Sequence, residues 1–523
     1  MCTCMMKVNY SLYLVTDNTT AILGDRDLCW VVEEAVKGGV TVVQLRDKTS
    51  ETAGLIRIAK RLHNITKGHD VPLLINDRVD VAFAAGAEGV HLGQDDMDIE
   101  TARKLLGPNA IIGVTASSRE EARQAVEGGA DYLGIGTLFT TPTKENTKFI
   151  IGTSGTRDIL DSLASLEQQV STVCIGGINA TNAQRVLYQS RSPSKGLDGI
   201  AVVSAIMAAP DPRKAAQDLR ELVMRPPRFA AESDDKRTHA VDEILSKVPE
   251  IVAKVGAQAP LCHNMTNLVV QNFAANVALC IGASPIMANN GDEAEDLCQL
   301  GGALVINMGT VTPDGLQNYL KALRSYNAVG GPVLFDPVGA GATKQRREAV
   351  KSLMAGGWFD LIKGNEGEIK TVSGASGVQQ RGVDSGASTL SLQEKATLVA
   401  RTAARERNII LMTGKTDLIS DGSRTFAINN GHEYLGEITG SGCTLGTTVA
   451  AFMAVHRGDK LLAAIAGIFM YEIAAEQAAK RDDVRGPGTF VPAFLDEISA
   501  IKKQTSNGQT GWLSAANIER VNL

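Results

Sequence analysis

Aromatic residues are scarce in this chain of 523 residues, at 4%. Positive charge is not in excess either, since the formal net charge is −6. Together these leave neither the stacking platforms nor the basic surface of a general nucleic-acid binder. No apolar run reaches the length of a membrane span. The N-terminus lacks a basic region followed by an apolar one, so no secretory signal is expected. None of the eight cysteines stands in a Cys-x-x-Cys pair, and Cys2-Thr-Cys4 reads as incidental rather than as a metal site. A reducing compartment is the simplest reading. What the chain does have is apolar content (44%) and glycine (52 residues), with a length beyond one ordinary core. Two or more globular domains with many tight strand–helix turns are expected.

From Ser11 to Met224 one rhythm repeats. Short runs rich in Val, Ile and Leu alternate with helical patterns such as Leu55–Leu62 and Glu120–Glu127. Eight strands are expected: Leu12–Thr16, Val42–Arg46, Leu73–Asn76, Gly89–Leu92, Ile111–Thr115, Tyr132–Gly136, Thr172–Ile175 and Ile200–Val203. Eight βα units in about 225 residues predict a (β/α)8 TIM barrel. Function would then gather at the C-terminal strand ends. Those ends carry Gln44-Leu-Arg46-Asp47-Lys48, Asn76-Asp77, Gln94-Asp95-Asp96, Thr115, Thr141-Pro-Thr143-Lys144, Gly176-Gly177 and Val203-Ser204. Each alone could be a solvated strand end; seven on one rim are hard to read that way. Arg46, Lys48 and Lys144 suit a multiply charged phosphate. Asp77 and Asp96 offer hard oxygens for Mg²⁺. Gly176-Gly177 and Ser204 stand after strands seven and eight, where barrels commonly hold a phosphate. The rim therefore offers two anion sites, suited to a diphosphate donor and a monophosphate acceptor.

In that order, these motifs with His91-Leu-Gly-Gln-Asp-Asp96 and Ile175-Gly-Gly-Ile178 resemble thiamine phosphate synthase over nearly all of residues 7–224. The resemblance implies joining a hydroxymethylpyrimidine diphosphate to a thiazole phosphate with release of diphosphate. By it, Gln44, Arg46, Asp47, Lys48, Asn76, Thr115 and Lys144 hold the pyrimidine diphosphate. Asp77 and Asp96 hold Mg²⁺, and Thr141, Thr143, Gly177, Val203 and Ser204 hold the thiazole phosphate. Thr115 replaces the Ser usual in bacterial members but keeps a hydroxyl. Catalysis would lie in stabilising the departing charge through Arg46, Lys48 and Lys144.

A polar, proline-bearing stretch, Arg225-Pro-Pro-Arg228 and then Glu232–Arg237, marks a boundary. The expected division is residues 1–228, a linker over 229–240, and a second domain over 241–523. Ser190–Leu197 and Ser373–Ser391 read as surface loops. In the second half, helices surround apolar strands at Pro285–Ala288, Leu304–Asn307, Val333–Asp336, Leu361–Lys363 and Ile409–Thr413. That predicts a mainly parallel sheet in an α/β layered domain, with sites beyond the strand C-termini. Gly436–Gly446 precedes a long apolar run and reads as a glycine-rich turn opening a helix. Gly440 and Gly442 would be free for positive φ, and Cys443 would sit where a helix start favours a thiolate. The plainer readings are a simple turn and a small buried cysteine.

The order Pro260–Asn267, Gly282–Ala288, Asp336-Pro-Val-Gly339, Lys363-Gly-Asn-Glu366 and Thr439–Cys443 is similar to hydroxyethylthiazole kinase, a ribokinase-like family, over about residues 241–505. By that resemblance Met287 and Gly440 contact the thiazole alcohol, Arg346 and Thr413 contact ATP, and Glu368 stands near Mg²⁺. Cys443 takes the place of the usual catalytic Asp and would accept or orient the substrate hydroxyl proton. The implied reaction is phosphoryl transfer from ATP. The fusion order resembles fungal bifunctional proteins of thiamine biosynthesis. It implies a cytoplasmic homo-oligomer, trimeric or hexameric, acting on small molecules without nucleic acid or membrane. The alternatives are a non-catalytic sensor with the same folds, or a kinase half acting on hydroxymethylpyrimidine.

Overall fold

The computed structural model describes residues 8–141, 150–166, 168–230, 240–374 and 390–523. The chain divides into two units, Met1–Pro226 and Pro227–Leu523. The division falls two residues before the expected end of the first domain at 228. Arg228 and Phe229 belong to the second unit, where the Phe229 ring stacks on Trp358 at 5.0 Å. Residues 231–239, and most of the expected loop over 373–391, lie outside the described residues.

The first unit is a closed barrel of eight parallel strands in sequence order. They are β1 (Leu12–Val15), β2 (Val42–Leu45), β3 (Leu73–Asn76), β4 (Gly89–Leu92), β5 (Ile111–Ala116), β6 (Tyr132–Ile135), β7 (Ser171–Cys174) and β8 (Gly199–Val202). Helices cover the outside because each carries one apolar stripe, as in Thr52–Lys67, which buries Leu55, Ala59 and Leu62. The barrel interior is filled by Tyr10, Tyr13, Val42, Leu74, Tyr132, Val173 and Ala201. Space for the tyrosines comes from glycine: a Cβ on Gly113 would lie 2.0 Å from Tyr132 Cζ.

The second unit holds a nine-stranded sheet. Its strands are β9 (Leu261–Met265), β10 (Ser284–Ile286), β11 (Ala303–Asn307), β12 (Val333–Asp336), β13 (Leu361–Gly364), β14 (Ile409–Met412), β15 (Asp417–Ser420), β16 (Thr425–Ile428) and β17 (Ile518–Arg520). The order is β10-β9-β11-β12-β13-β14-β15-β16-β17. Pairing is parallel as far as β14 and antiparallel from β14 to β17. Two helices, Ser441–Val455 and Lys460–Ala479, are apolar nearly all round. They accordingly form the centre of the larger core, the first against β9, β11 and β12 and the second against the first. The region Arg457–Ala479 is long and apolar enough to cross a membrane, but 89% of its apolar window is buried inside this unit.

Candidate active sites

At the C-terminal end of the barrel, a cavity of about 400 Å³ is lined by Gln44, Arg46, Asn76, Thr115, Thr141, Gly177, Val203 and Ser204, among others. Eight of the substrate-binding residues expected in the barrel thus share one hollow. Thr143 and Lys144 lie outside the described residues. Asp47 turns away from the hollow: its Oδ1 accepts the Thr49 and Ser50 N–H groups, each at 2.9 Å, and closes its own loop. Burial alone would raise the Asp47 carboxyl, but those hydrogen bonds hold it below the ordinary range.

Asp77 and Asp96 meet beside the cavity. Asp77 sits at φ 63°, a left-handed conformation that short polar side chains tolerate better than most. Lys48 Nζ donates to Asp77 Oδ2. Asp96 Oδ2 accepts the Gly93 N–H at 2.7 Å. Burial, and then the hydrogen bond shared with Asp77, hold the Asp96 carboxyl above its usual range. Two carboxylates this close, one of them paired with Lys48, suit a hard divalent cation.

On the opposite wall, Gly176 and Gly177 take φ of 96° and 73°. A Cβ on Gly177 would meet Phe139 Cβ at 2.9 Å, so this turn admits only glycine without a shift. Asn182 Nδ2 donates to the Gly177 carbonyl at 2.9 Å and fixes the turn from below. Sequence reasoning assigned no role to Asn182, or to His91, Tyr13 and Tyr132 at the floor of the cavity. Their signal was an unusual density of polar side chains inside a barrel.

The second site lies beyond the parallel strands of the larger sheet. Asn267 follows β9, Asn307 and Asp336 end β11 and β12, and Lys363 lies in β13. Asn307 Nδ2 donates to Asp336 Oδ2 at 2.7 Å, and Asn267 Nδ2 donates to Asn307 Oδ1 at 3.0 Å. Lys363 Nζ lies 3.3 Å from Asp336 Oδ1, with both side chains buried. Burial works against the Lys363 charge, but Asp336, Cys443 and Glu368 outweigh it and keep the ammonium protonated. Lys363, Asn267 and Asn307 were not foreseen as site residues. A lysine ending an apolar run reads as an ordinary strand end.

Cys443 enters this cluster from the first turn of helix Ser441–Val455. Asn267 Nδ2 donates to its Sγ at 3.4 Å, and Asp336 lies within hydrogen-bonding reach. The expected thiolate is reversed here. Burial, then the Asp336 charge, push the Cys443 thiol up to about 11 in spite of the helix start and Lys363. Gly440 does take a positive φ, 86°, as the helix N-cap; Gly442 does not and is simply helical. A Cβ at Gly442 would lie 3.6 Å from Lys363 Nζ, an ordinary contact.

Around this centre the other expected residues hold the loops. Glu368 Oε1 accepts the Gly339 N–H and its Oε2 the Asn365 N–H, both at 2.8 Å, while Asn365 caps the helix in return. Burial, and then Asp336, push the Glu368 carboxyl up to about 7. Arg346 donates to the carbonyls of Met308, Val338 and Gly309 at 2.9, 2.7 and 2.7 Å. Thr413 follows β14, and its N–H donates to Gly364 O at 2.9 Å. Met287 stands just past β10.

A family model for thiamine monophosphate synthase matches residues 12–206, and one for the hydroxyethylthiazole kinase family matches residues 252–504. A probable thiamine biosynthetic bifunctional enzyme of Schizosaccharomyces pombe is 42% identical, over 98% of this chain and 99% of its own length. The thiamine biosynthetic bifunctional enzyme of Saccharomyces cerevisiae is 36% identical, over 94% and 95%. Hydroxyethylthiazole kinase of Roseiflexus castenholzii is 42% identical over 49% of this chain and 93% of its own. The last match favours the thiazole branch over a pyrimidine kinase, and the pairing of both domains disfavours a non-catalytic sensor. With a barrel and a kinase unit in this order, the chain belongs to the family of bifunctional thiamine-biosynthetic enzymes, thiamine phosphate synthase joined to hydroxyethylthiazole kinase.

Proposed function

We propose that the kinase unit makes the acceptor that the barrel consumes. The observation that carries this reading is the pair of complementary anion sites around one cavity. Arg46 lines one side, with Asp77, Asp96 and Lys48 beside it, and the Gly176–Gly177 turn with Ser204 forms the other. The first side takes the diphosphate of the pyrimidine, and the second takes the monophosphate of the thiazole.

In the barrel, the methylene C–O bond breaks and diphosphate departs with the electron pair. The thiazole nitrogen lone pair then forms the new C–N bond, so no proton need move. Asp77 and Asp96 would hold Mg²⁺, which supplies charge for the leaving group. Arg46 and Lys48 hold that charge in place, and Lys144 and Thr143 complete the two sides by resemblance. In the kinase, the thiazole alcohol oxygen attacks the γ-phosphorus of ATP, forming an O–P bond as ADP leaves. Arg346 and Thr413 position ATP, and Met287 and Gly440 position the alcohol. Glu368 would hold a magnesium ion bound with ATP, through lone pairs left after it accepts the Gly339 and Asn365 N–H groups. Lys363 balances the developing charge, and Cys443 orients the hydroxyl against Asp336, which receives its proton. A loose phosphoryl-transfer transition state needs no stronger base. The six cysteines among the described residues are free thiols, which supports a reducing, cytoplasmic setting; a trimer-based assembly rests on resemblance alone.

The test supplies purified chain with Mg²⁺, ATP, the thiazole alcohol and the pyrimidine diphosphate, and looks for thiamine phosphate. Omitting ATP should stop product, and thiazole phosphate should restore it. Failure of that restoration would sink the reading.

A further inference from the structure

Along the floor of the barrel cavity, six polar side chains from β1 to β6, five of them lining it, form one continuous run of hydrogen bonds. Gln44 Nε2 donates to Asn76 Oδ1 at 2.6 Å. Gln44 Oε1 faces the Tyr13 hydroxyl at 2.9 Å. Tyr13 and Tyr132 hydroxyls lie 2.7 Å apart. The Tyr132 hydroxyl lies 2.7 Å from His91 Nδ1, and His91 Nε2 lies 2.8 Å from Thr115 Oγ1. Tyr13, Tyr132, Gln44 and His91 are buried, so within the run there is little water to exchange partners.

The run has one direction, fixed at Gln44. A carbonyl oxygen only accepts, so the Tyr13 hydroxyl must donate to Gln44 Oε1. Each phenol has a single proton. Tyr13 therefore accepts from Tyr132, and Tyr132 accepts from His91 Nδ1–H. A neutral imidazole then leaves Nε2 as an acceptor, which takes the Thr115 proton. Burial holds both phenols protonated, well above their ordinary range. The two ends come out with opposite character. Thr115 has given its proton inward and shows lone pairs to the cavity. Asn76 has its oxygen occupied by Gln44 and shows N–H.

We propose that this directed chain, with Tyr13, Tyr132 and His91 as positioning residues, makes the pocket specific for a 4-aminopyrimidine over its 4-oxo counterpart. The proposal rests on the synthase reading above. The exocyclic amine donates to Thr115, and a ring nitrogen accepts from Asn76. A 4-oxo ring sets carbonyl oxygen against the Thr115 lone pairs, leaving two acceptors face to face. Asn76 and Thr115 stand on β3 and β5, two strand spacings apart, on the order of 10 Å. That is about the span of a substituted six-membered ring with a hydrogen bond at each end. Reversing the chain would swap donor for acceptor at both ends and invert the preference.

The test compares kcat/KM for the 4-amino and 4-oxo pyrimidine diphosphates, using full-length protein supplied with thiazole phosphate. Wild type should prefer the amino ring by about 10- to 100-fold, the range expected when one buried hydrogen bond is mismatched. Tyr13→Phe and Tyr132→Phe each remove two links of the chain, the Tyr13–Tyr132 link being lost in both. Each should bring the ratio toward one, chiefly by raising KM for the amino ring and lowering it for the oxo ring. Kinase activity of the same preparations checks that the chain is intact. Should both variants lose the two activities in equal proportion with the ratio unchanged, the chain has no orienting role. Absence of thiamine phosphate from wild type with the amino ring would instead overturn the synthase reading.

Discussion

Cys443 shows how two opposing fields resolve at one atom. A helix start favours a thiolate, but the effect falls off within a turn and is modest. Taking a thiolate out of water beside Asp336 costs more, and the thiol is held up at about 11. At pH 7 the thiolate fraction is then roughly 10⁻⁴. Alkylation of the Cys443 peptide, followed by mass spectrometry, should be slow at pH 7 and rise about tenfold per pH unit up to pH 10. Cys443→Ala should lower kinase turnover by severalfold or more and leave synthase activity intact when thiazole phosphate is supplied; an unchanged kinase rate would remove Cys443 from the reaction. A second buried pair gives a stability prediction. Asp417 Oδ1 accepts the Gly414 N–H at 2.9 Å, and Glu472 faces Asp417 from helix Lys460–Ala479. Burial pushes Asp417 up to about 6 and Glu472 well above the ordinary 4.5, with Glu476 adding repulsion at Glu472 and Lys363 easing Asp417. The folded state therefore holds a proton that the unfolded chain releases above about pH 4.5. Stability from this pair is greatest in acid and is lost as pH rises toward the folded values. Glu472→Gln needs no proton, so its unfolding midpoint should exceed that of wild type by ~3 °C or more at pH 8, and the gap should shrink toward pH 5.

At the scale of elements, the glycine-rich helix start separates two positions that look alike in sequence. Gly440 is left-handed, and a Cβ there would meet Val270 Cγ2 at 2.5 Å. Gly440→Ala should destabilise the kinase unit by roughly 1–3 kcal/mol and raise KM for the thiazole alcohol. Gly442→Ala, helical and unobstructed, should leave denaturant stability within about 0.5 kcal/mol of wild type or raise it slightly. Equal losses at both would contradict the turn. This difference was not legible in Gly-Ser-Gly-Cys, because it depends on where the neighbouring helix places Val270. The barrel strands were legible to within one residue at each end, since parallel strands buried on both faces are continuous apolar runs. In the second unit β9 was missed because Cys262, His263 and Asn264 interrupt its apolar pattern. Inside the sheet most of those groups find partners: His263 Nε2 pairs with Ala288 O at 2.9 Å and Asn264 Nδ2 donates to Cys262 O at 3.0 Å, while His263 Nδ1 has none among the described residues. Strands β15 to β17 escaped for another reason, being short, antiparallel and polar at their ends. The strand-end carboxylates Asp77 and Asp96 could be picked out, since acids clustered on a rim have few structural explanations. Lys363 could not, because its value lies in the buried partners that packing supplies.

For the whole molecule, the chemistry links the two units through one intermediate, while their cores are separate. Each hydrophobic cluster among the described residues lies wholly within one unit. Losses in one activity should therefore leave the other standing. Asp96→Ala removes one of the two carboxylates proposed to hold the metal and should lower synthase activity by at least about 100-fold with kinase activity unchanged. Loss of both activities would mean that the units do not fold independently. Mixing then asks whether the intermediate passes through solution. An Asp96→Ala chain makes thiazole phosphate at the full rate and cannot use it; a Cys443→Ala chain uses it at the full rate and makes it slowly. If the intermediate is released, the mixture should form thiamine phosphate from ATP, thiazole alcohol and pyrimidine diphosphate faster than Cys443→Ala alone. Where the kinase step limits, the gain should approach the factor by which that substitution slowed the kinase. A mixture no faster than Cys443→Ala alone, with each chain keeping its one good activity, would show that the phosphate is handed on only within a single assembly.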